Sequence, residues 1–239
     1  MRSNQFVAKV MGISRRKADE LIGRGGFAVN GEPLDHPGRQ VDPRRDKITY
    51  CNRELKPVEN CYLVLYKPEG YVCSHLAQGE EYTVYQLLPP EYRDLKYAGR
   101  LDKESAGLMI FSNDGDFIQQ LTHPAHQHIK EYLVKVWYPR GAVKNQVLGK
   151  LNRPMKLEDG FTAHAEVEFA GSRPGLWELV FRLREGHKRQ IRQMCREAGL
   201  KIIKLLRYRM GGLYLPQDMP PGTYRLVSQQ EARTALQLG

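Results

Sequence analysis

A single carboxylate, Asp102, sits between two cations, Arg100 and Lys103, in the run Gly99-Arg100-Leu101-Asp102-Lys103-Glu104-Ser105-Ala106-Gly107-Leu108. The apolar residues Leu108, Met109, Ile110 and Phe111 read as a short buried strand, and Asn113-Asp114-Gly115 closes it with turn chemistry. An Asp on a loop that enters a buried strand has a rigid base, as a catalytic group requires. Such a carboxylate can attack an electrophilic carbon or take a proton. Residue chemistry alone also allows an Asp of a solvated turn, paired with its neighbours.

The most basic stretch is Glu185-Gly186-His187-Lys188-Arg189-Gln190-Ile191-Arg192-Gln193-Met194-Cys195-Arg196. On a helix from Arg189 to Ala198, ending at Gly199, Ile191, Met194, Cys195 and Ala198 share an apolar face. Arg189, Arg192, Gln193 and Arg196 share a cationic one, suited to several phosphates. Tyr132 alternates with Val134 and Val136 along Lys130 to Trp137, a strand pattern that makes it a core tyrosine. His123, His126 and His128 lack the i, i+4 spacing of a helical zinc pair and have no Cys or carboxylate beside them. No metal is expected there; a loop lying against phosphate fits them better.

These residues need elements to hold them. Tyr62 to Tyr66 reads as a buried strand closed by the turn Lys67-Pro68-Glu69-Gly70, Tyr85 to Leu88 as a short helix stopped by proline, and Phe117 to Leu121 as a helix. Residues 75 to 83 read as an exposed loop, and 138 to 160 as a loop plus a helix ending near Leu151. Ala163 to Phe169 and Trp177 to Arg184 alternate cleanly as strands, which implies a largely antiparallel sheet with one covered face. Near the amino terminus Ser14 caps a helix through Arg15, Arg16, Lys17, Ala18, Leu21 and Ile22, although Lys17 stands where a capping box has Glu or Gln. Gly23, Gly25 and Gly26 stop that helix, and Phe27-Ala28-Val29 meets the hairpin turn Asn30-Gly31. Asn52 to Asn60, with Pro57, reads as a linker.

The 239 residues carry a net charge of +10. A polyanionic partner follows, nucleic acid before an anionic membrane. Residues 1–58 hold twelve Lys and Arg against seven Asp and Glu, about three times the net charge density of the remainder. No apolar run approaches the ~20 residues of a spanning helix, and no signal-peptide core is present. The four cysteines form no Cys-x-x-Cys pair, which fits a reducing cytoplasm.

Three motifs and one small unit together resemble the RsuA/RluB/RluE/RluF-like family of ribosomal RNA pseudouridine synthases. The first motif is Gly99-Arg100-Leu101-Asp102 with Ser105, Gly107-Leu108 and Asn113-Asp114-Gly115. The second is Lys130-x-Tyr132, and the third Gly186-x-x-Arg189-Gln190-Ile191-Arg192-x-Met194. Lys67-Pro68-x-Gly70-Tyr71-Val72-Cys73-Ser74 resembles the first strand and turn of the catalytic domain, and Leu206 to Leu213 and Pro221 to Leu226 resemble its last strands. Ser14-Arg15-Arg16-x-Ala18-x-x-x-Ile22 followed by Val29-Asn30-Gly31 resembles an S4 RNA-binding domain. Phe27, the missing acidic residue near Asn4, and Gln193 depart from the family patterns.

The resemblance implies an α+β protein: residues 1–58 a small α/β S4 unit plus linker, and 59–239 a catalytic domain on a mostly antiparallel mixed sheet flanked by helices. It implies conversion of uridine to pseudouridine in ribosomal RNA or an assembly intermediate, without cofactor or metal, by a cytoplasmic monomer. Asp102 would act on the ribose, by attack at C1′ or by taking the C2′ proton. Arg192 would pair with it, and Tyr132 would stack on the base and move a proton. Arg100, Leu101 and Ile191 would line the pocket. Ser14, Arg15, Arg16, Lys17, Arg24, Asn30, Lys130, Lys188, Arg189 and Arg196 would grip RNA. The Tyr71 to Ser74 region and the tail lean toward a small-subunit target, whereas Gly99 to Ser105 and Arg189 to Cys195 are as much like large-subunit members. The rivals are a non-catalytic S4-domain RNA-binding protein and an S4-linked RNA methyltransferase, and the latter needs a glycine-rich strand-to-helix turn that this sequence lacks.

Overall fold

Ser14 accepts a hydrogen bond from the Lys17 amide at 3.1 Å, and the helix it caps runs Arg15–Arg24. An earlier helix, Ser3–Val10, starts at Arg2 without a Ser, Thr, Asp or Asn cap, and the capping pattern did not reveal it. These are α1 and α2. The structure is a computed structural model that describes residues 1–75 and 79–237. Residues 76–78, within the expected exposed loop, lie outside the described residues. The chain divides into two units, Met1–Asn60 with Asn113–Gly115, and Cys61–Ser112 with Asp116–Gly239.

In the first unit, β1 (Phe27–Val29), β2 (Glu32–Pro33), β3 (Ile48–Tyr50) and β4 (Arg53–Glu54) form a sheet in the order β2-β1-β3-β4. Asn30 and Gly31 both take positive φ, 54° and 86°, as a two-residue hairpin turn demands. Phe6, Val7, Ala18 and Ile22 pack with Phe27, Val29 and Ile48. Because β4 pairs with β3, the stretch read as a linker gives Arg53 and Glu54 to this sheet.

The second unit contains β5 (Tyr62–Lys67), β6 (Lys96–Ala98), β7 (Ala106–Ser112) and β8 (Lys130–Trp137), with α3 (Gly115–Thr122) leading from β7 toward β8. It continues with α4 (Lys144–Leu151), β9 (Met155–Lys156), β10 (Thr162–Ala163), β11 (Glu166–Arg173), β12 (Leu176–Leu183), α5 (Gln190–Glu197) and β13 (Lys201–Met210), and closes with β14 (Leu213–Tyr214), β15 (Tyr224–Leu226) and α6 (Gln229–Arg233). Among the described residues a nine-stranded mixed sheet runs β11-β12-β8-β13-β7-β5-β15, with β14 on β13 and β6 on β7. Every pairing is antiparallel except β13 with β7. The expected fold class, α+β with a mostly antiparallel mixed sheet flanked by helices, is the one found. The period-2 patterns explain it: Val134, Val136, Leu179, Phe181 and Leu205 point to one covered face, where they meet Leu151, Met194 and Cys195. The 3-10 turn Val84–Leu87 takes the place of the expected short helix.

Two expectations are corrected here. The continuous strand from Ala163 to Phe169 is two strands, β10 and β11, broken at His164 and Ala165. Thr162 and Ala163 pair with β9 in a separate hairpin, and a two-residue irregularity leaves the alternation legible while changing the partner. The helix read from Arg189 begins at Gln190, because Arg189 sits in the left-handed region at φ 54°. No described helix is long and apolar enough to cross a membrane.

Candidate active site

The loop 99–105 leads into β7, and three side chains from outside it hold its backbone. Lys67, the last residue of β5, is fully buried, and its ammonium donates to the carbonyls of Pro68, Asp102, Lys103 and Ser105 at 3.0, 3.1, 3.3 and 2.6 Å. Burial pulls its pKa down from 10.5 to about 8, against the raising effect of Cys73, Glu69 and Asp102. The Cys73 thiol accepts from the Leu101 amide at 3.4 Å and donates to the Leu101 carbonyl at 3.2 Å. Arg207 on β13, 1% exposed, donates through Nε and Nη2 to the Leu108 carbonyl at 2.9 and 2.7 Å and through Nη1 to Arg100 at 3.4 Å.

Gly107 permits this arrangement. It has φ +123°, and a Cβ there would lie 2.2 Å from the Arg207 carbonyl oxygen across the parallel β7–β13 pair. Only glycine allows so close an approach of two backbones.

The Asp102 carboxylate is itself partly open to solvent. Its Oδ2 lies 3.9 Å from Arg192 Nε, an ion pair at a distance too long for a hydrogen bond. Arg192 is aimed by other acceptors: Nη2 donates to the Glu104 carbonyl at 2.8 Å and to Ser105 Oγ at 3.1 Å. Gln190, 3% exposed, sets the start of α5 by donating to Glu185 Oε1 at 2.7 Å and accepting from the His187 amide.

Asp102, Tyr132 and Arg192, far apart in the chain, line one cleft of about 360 Å³. Arg100, Leu101, Ile191, Lys188 and Arg189 line it too, and Leu183 and Leu205 add apolar walls. Tyr132 is 8% exposed and belongs to the main core, so the core reading and the pocket reading both describe it.

The cations expected to grip RNA are differently placed. Arg189 pairs with Glu104 at 3.0 Å, and Arg196 lies off the cleft, paired with Glu158. Lys130 is recessed, not spread on an open face: its ammonium donates to the His128 carbonyl at 3.1 Å, and burial lowers its pKa to about 8. His187 bonds Asp159 and stacks on Phe161 with ring centroids 4.2 Å apart, which fastens the β9–β10 hairpin to the turn before α5. In the first unit, Arg15, Arg16, Lys17 and Arg24 are exposed on α2, with Lys17 paired to Glu20 at 2.7 Å. Asn30 serves its own hairpin, accepting from the Lys47 amide at 2.8 Å and donating to Asp46 at 3.0 Å.

Sequence reasoning missed Lys67, Cys73, Gln190 and Arg207 as site residues. Arg207 left a signal: it falls at the same inward parity as Leu205 along β13.

Known proteins share this fold and this cleft-bearing domain. The family model for RNA pseudouridylate synthases matches residues 61–197, and the S4 domain model matches residues 3–46. The ribosomal small subunit pseudouridine synthase A of Vibrio vulnificus (strain CMCP6) is 30% identical, over 97% of this chain and 97% of its own. The ribosomal large subunit pseudouridine synthase B of Bacillus subtilis (strain 168) is 32% identical, over 97% of this chain and 94% of its own. A solved structure described as that of a pseudouridylate synthase superposes with a TM-score of 0.68 at 26% identity, covering 98% of this chain and 99% of that one. The protein is thus an RNA-modifying isomerase with an S4 domain. It belongs to the RNA pseudouridylate synthase family.

Proposed function

We propose that this chain converts specific uridines of ribosomal RNA to pseudouridine, with a small-subunit target slightly preferred over a large-subunit one. The observation that carries the reading is the convergence of an acid, a phenol and a guanidinium, Asp102, Tyr132 and Arg192, on one cleft. A non-catalytic RNA-binding protein has no need of that convergence. Residues 1–58 supply RNA grip and a linker, and 59–239 the chemistry, in a cytoplasmic monomer that needs no cofactor.

The reaction breaks the C1′–N1 bond and forms C1′–C5, and the proton that C5 loses is balanced by one gained at N1. The target base first leaves its stack, at a few kcal/mol. Asp102 acts on the sugar, as nucleophile at C1′ or as base at C2′. Arg192 orients the carboxylate through their ion pair. Tyr132 stacks on the uracil and moves a proton, between Leu101 and Ile191. Arg100, Lys188 and Arg189 hold phosphate at the cleft mouth, with Arg196 farther out, and the recessed Lys130 meets RNA that enters past the rim. Ser14, Arg15, Arg16, Lys17, Arg24 and Asn30 hold RNA on the S4 unit.

Asp102→Asn is expected to lower turnover by about 10³-fold or more, while leaving RNA affinity near wild type. Pseudouridine mapping of ribosomal RNA from cells with and without the gene identifies the site. Purified protein that leaves every uridine unchanged sinks the reading, and near-normal turnover by the variant sinks the role of Asp102.

A further inference from the structure

Tyr82 is 63% exposed, the most open of the large hydrophobic side chains among the described residues. Its backbone is nonetheless held on both sides. The Val72 amide donates to the Tyr82 carbonyl at 2.8 Å, and the Val84 amide donates to the Val72 carbonyl at 3.0 Å, which closes a parallel bridge between Val72 and Thr83. Thr83 and Val84 are themselves buried. On the other side, the Glu81 carboxylate accepts from the Lys103 ammonium at 2.9 Å. Val72 and Lys103 both line the Asp102 cleft, so the chain before and after Tyr82 is tied to a cleft wall.

A second ring stands beside the first. Tyr71 is half-buried and packs on the main core, and its ring centroid lies 5.8 Å from that of Tyr82, with the planes 40° apart. A surface aromatic standing alone is ordinary and calls for no explanation. Here two rings sit together against a wall of the catalytic cleft, and one of them is left open. A tyrosine has only two χ angles to lose, so a flat partner can settle on it at little cost in order. Lys103 is matched by Glu81, so an occupant of this spot is held by contact with the ring and not by a free cation.

We propose that Tyr82, backed by Tyr71, is a stacking platform for an unpaired nucleobase of the substrate RNA close to the target uridine. This rests on the pseudouridine reading above. Continuity with the cleft is the reason to choose a base of that RNA as the occupant: a strand that brings a uridine to Asp102 has its neighbouring nucleotides at the cleft walls, and one wall carries the two tyrosines. Every base has a π-face, so the platform reads no particular letter. It reads pairing instead. A base within a duplex has both faces covered by its stacked neighbours, whereas an unpaired base can be splayed out onto the ring. The substrate class is thereby narrowed to RNA in which the target uridine lies near an unpaired nucleotide, in a loop, a bulge or an opened helix.

The first test uses an RNA whose uridine the enzyme converts, with each nucleotide near the target made abasic in turn. Tyr82→Leu should raise KM by about tenfold, with the loss in KM and not in kcat at saturating RNA. Tyr82→Phe keeps the ring and should stay within about twofold of wild type. One abasic position should reproduce the Tyr82→Leu loss, and on that RNA the substitution should add nothing further. The slope of log KM against log salt should be the same in Tyr82→Leu as in wild type, because stacking releases no counterion. A rise in KM of less than about twofold in Tyr82→Leu, a Phe variant as poor as the Leu one, or an equal Tyr82→Leu loss on every abasic RNA overturns the proposal. A second test needs no turnover. The full chain is irradiated with a single-stranded oligoribonucleotide bearing 5-iodouridine, and linked peptides are mapped by mass spectrometry. A link to Tyr82 supports the proposal, and links confined to other peptides overturn it. If no uridine is converted at all, the pseudouridine reading falls, and crosslinking alone then judges the platform.

Discussion

Lys67 and Arg207 place two buried positive charges beneath the loop that presents one carboxylate, and among the described residues neither forms an ion pair with an acid. Carbonyl oxygens solvate them instead, so each charge is spent on fixing backbone. The Lys67 ammonium titrates near 8 in the fold against 10.5 when free. Two opposite trends follow. As pH rises through about 8 the loop loses a donor, so kcat should fall with an apparent pKa near that value. Between about 8 and 10.5 the unfolded chain keeps a proton that the folded chain has released, so this group's contribution to stability rises with pH. Urea midpoints of wild type and Lys67→Met, compared from about pH 7 to about pH 10.5, should therefore diverge in favour of wild type. A constant gap would refute the assignment. At this scale the ordered motifs singled out Asp102, Tyr132 and Arg192, which line one cleft. Lys67 and Arg207 were not singled out: Lys67 stands in the turn pattern Lys67-Pro68-Glu69-Gly70, and a charge such as Arg207 within a strand pattern is read as facing water, whereas both face inward.

The parallel β7–β13 contact is the element on which the site depends, since it sets the Asp102 loop against Arg207. Gly107→Ala puts a methyl 2.2 Å from a carbonyl oxygen in an unfavourable backbone region. It should cost about 3 kcal/mol or more, read as a fall in the urea midpoint. Gly149, mid-helix on α4 with nothing within 4 Å of a Cβ, is the contrast. There Ala should stabilise by about 0.5–1 kcal/mol. Equal effects at the two positions would show that the backbone contact is not the cause. Period-2 alternation made β8 and β12 readable and the first half of β11, and Ser14 made α2 readable. The β9–β10 hairpin was hidden because two-residue strands carry no period, and the start of α5 because nothing in the sequence marks Arg189 as left-handed.

Across the whole molecule, the charge of +10 is unevenly held, and the first 58 residues are the denser part. Arg15 and Arg16 are exposed at the start of α2, where the proposed function has them meet phosphate. Arg15→Ala with Arg16→Ala should weaken RNA binding and make the salt slope shallower by about 1.4, with the loss in KM and not in kcat at saturating RNA. An unchanged slope would remove both residues from the interface. That charge gradient sets the first 58 residues apart, whereas the internal pairing of the cations was not legible, because it depends on carboxylates distant in sequence. Arg189 already holds Glu104, and Arg196 already holds Glu158. On the proposed function, RNA docking along α5 would be an exchange, in which phosphate oxygens displace resident acids and those acids return to water. Fewer bound counterions are released than the tally of basic side chains suggests. Added salt should therefore loosen RNA on this surface less steeply than a count of its arginines and lysines would foretell.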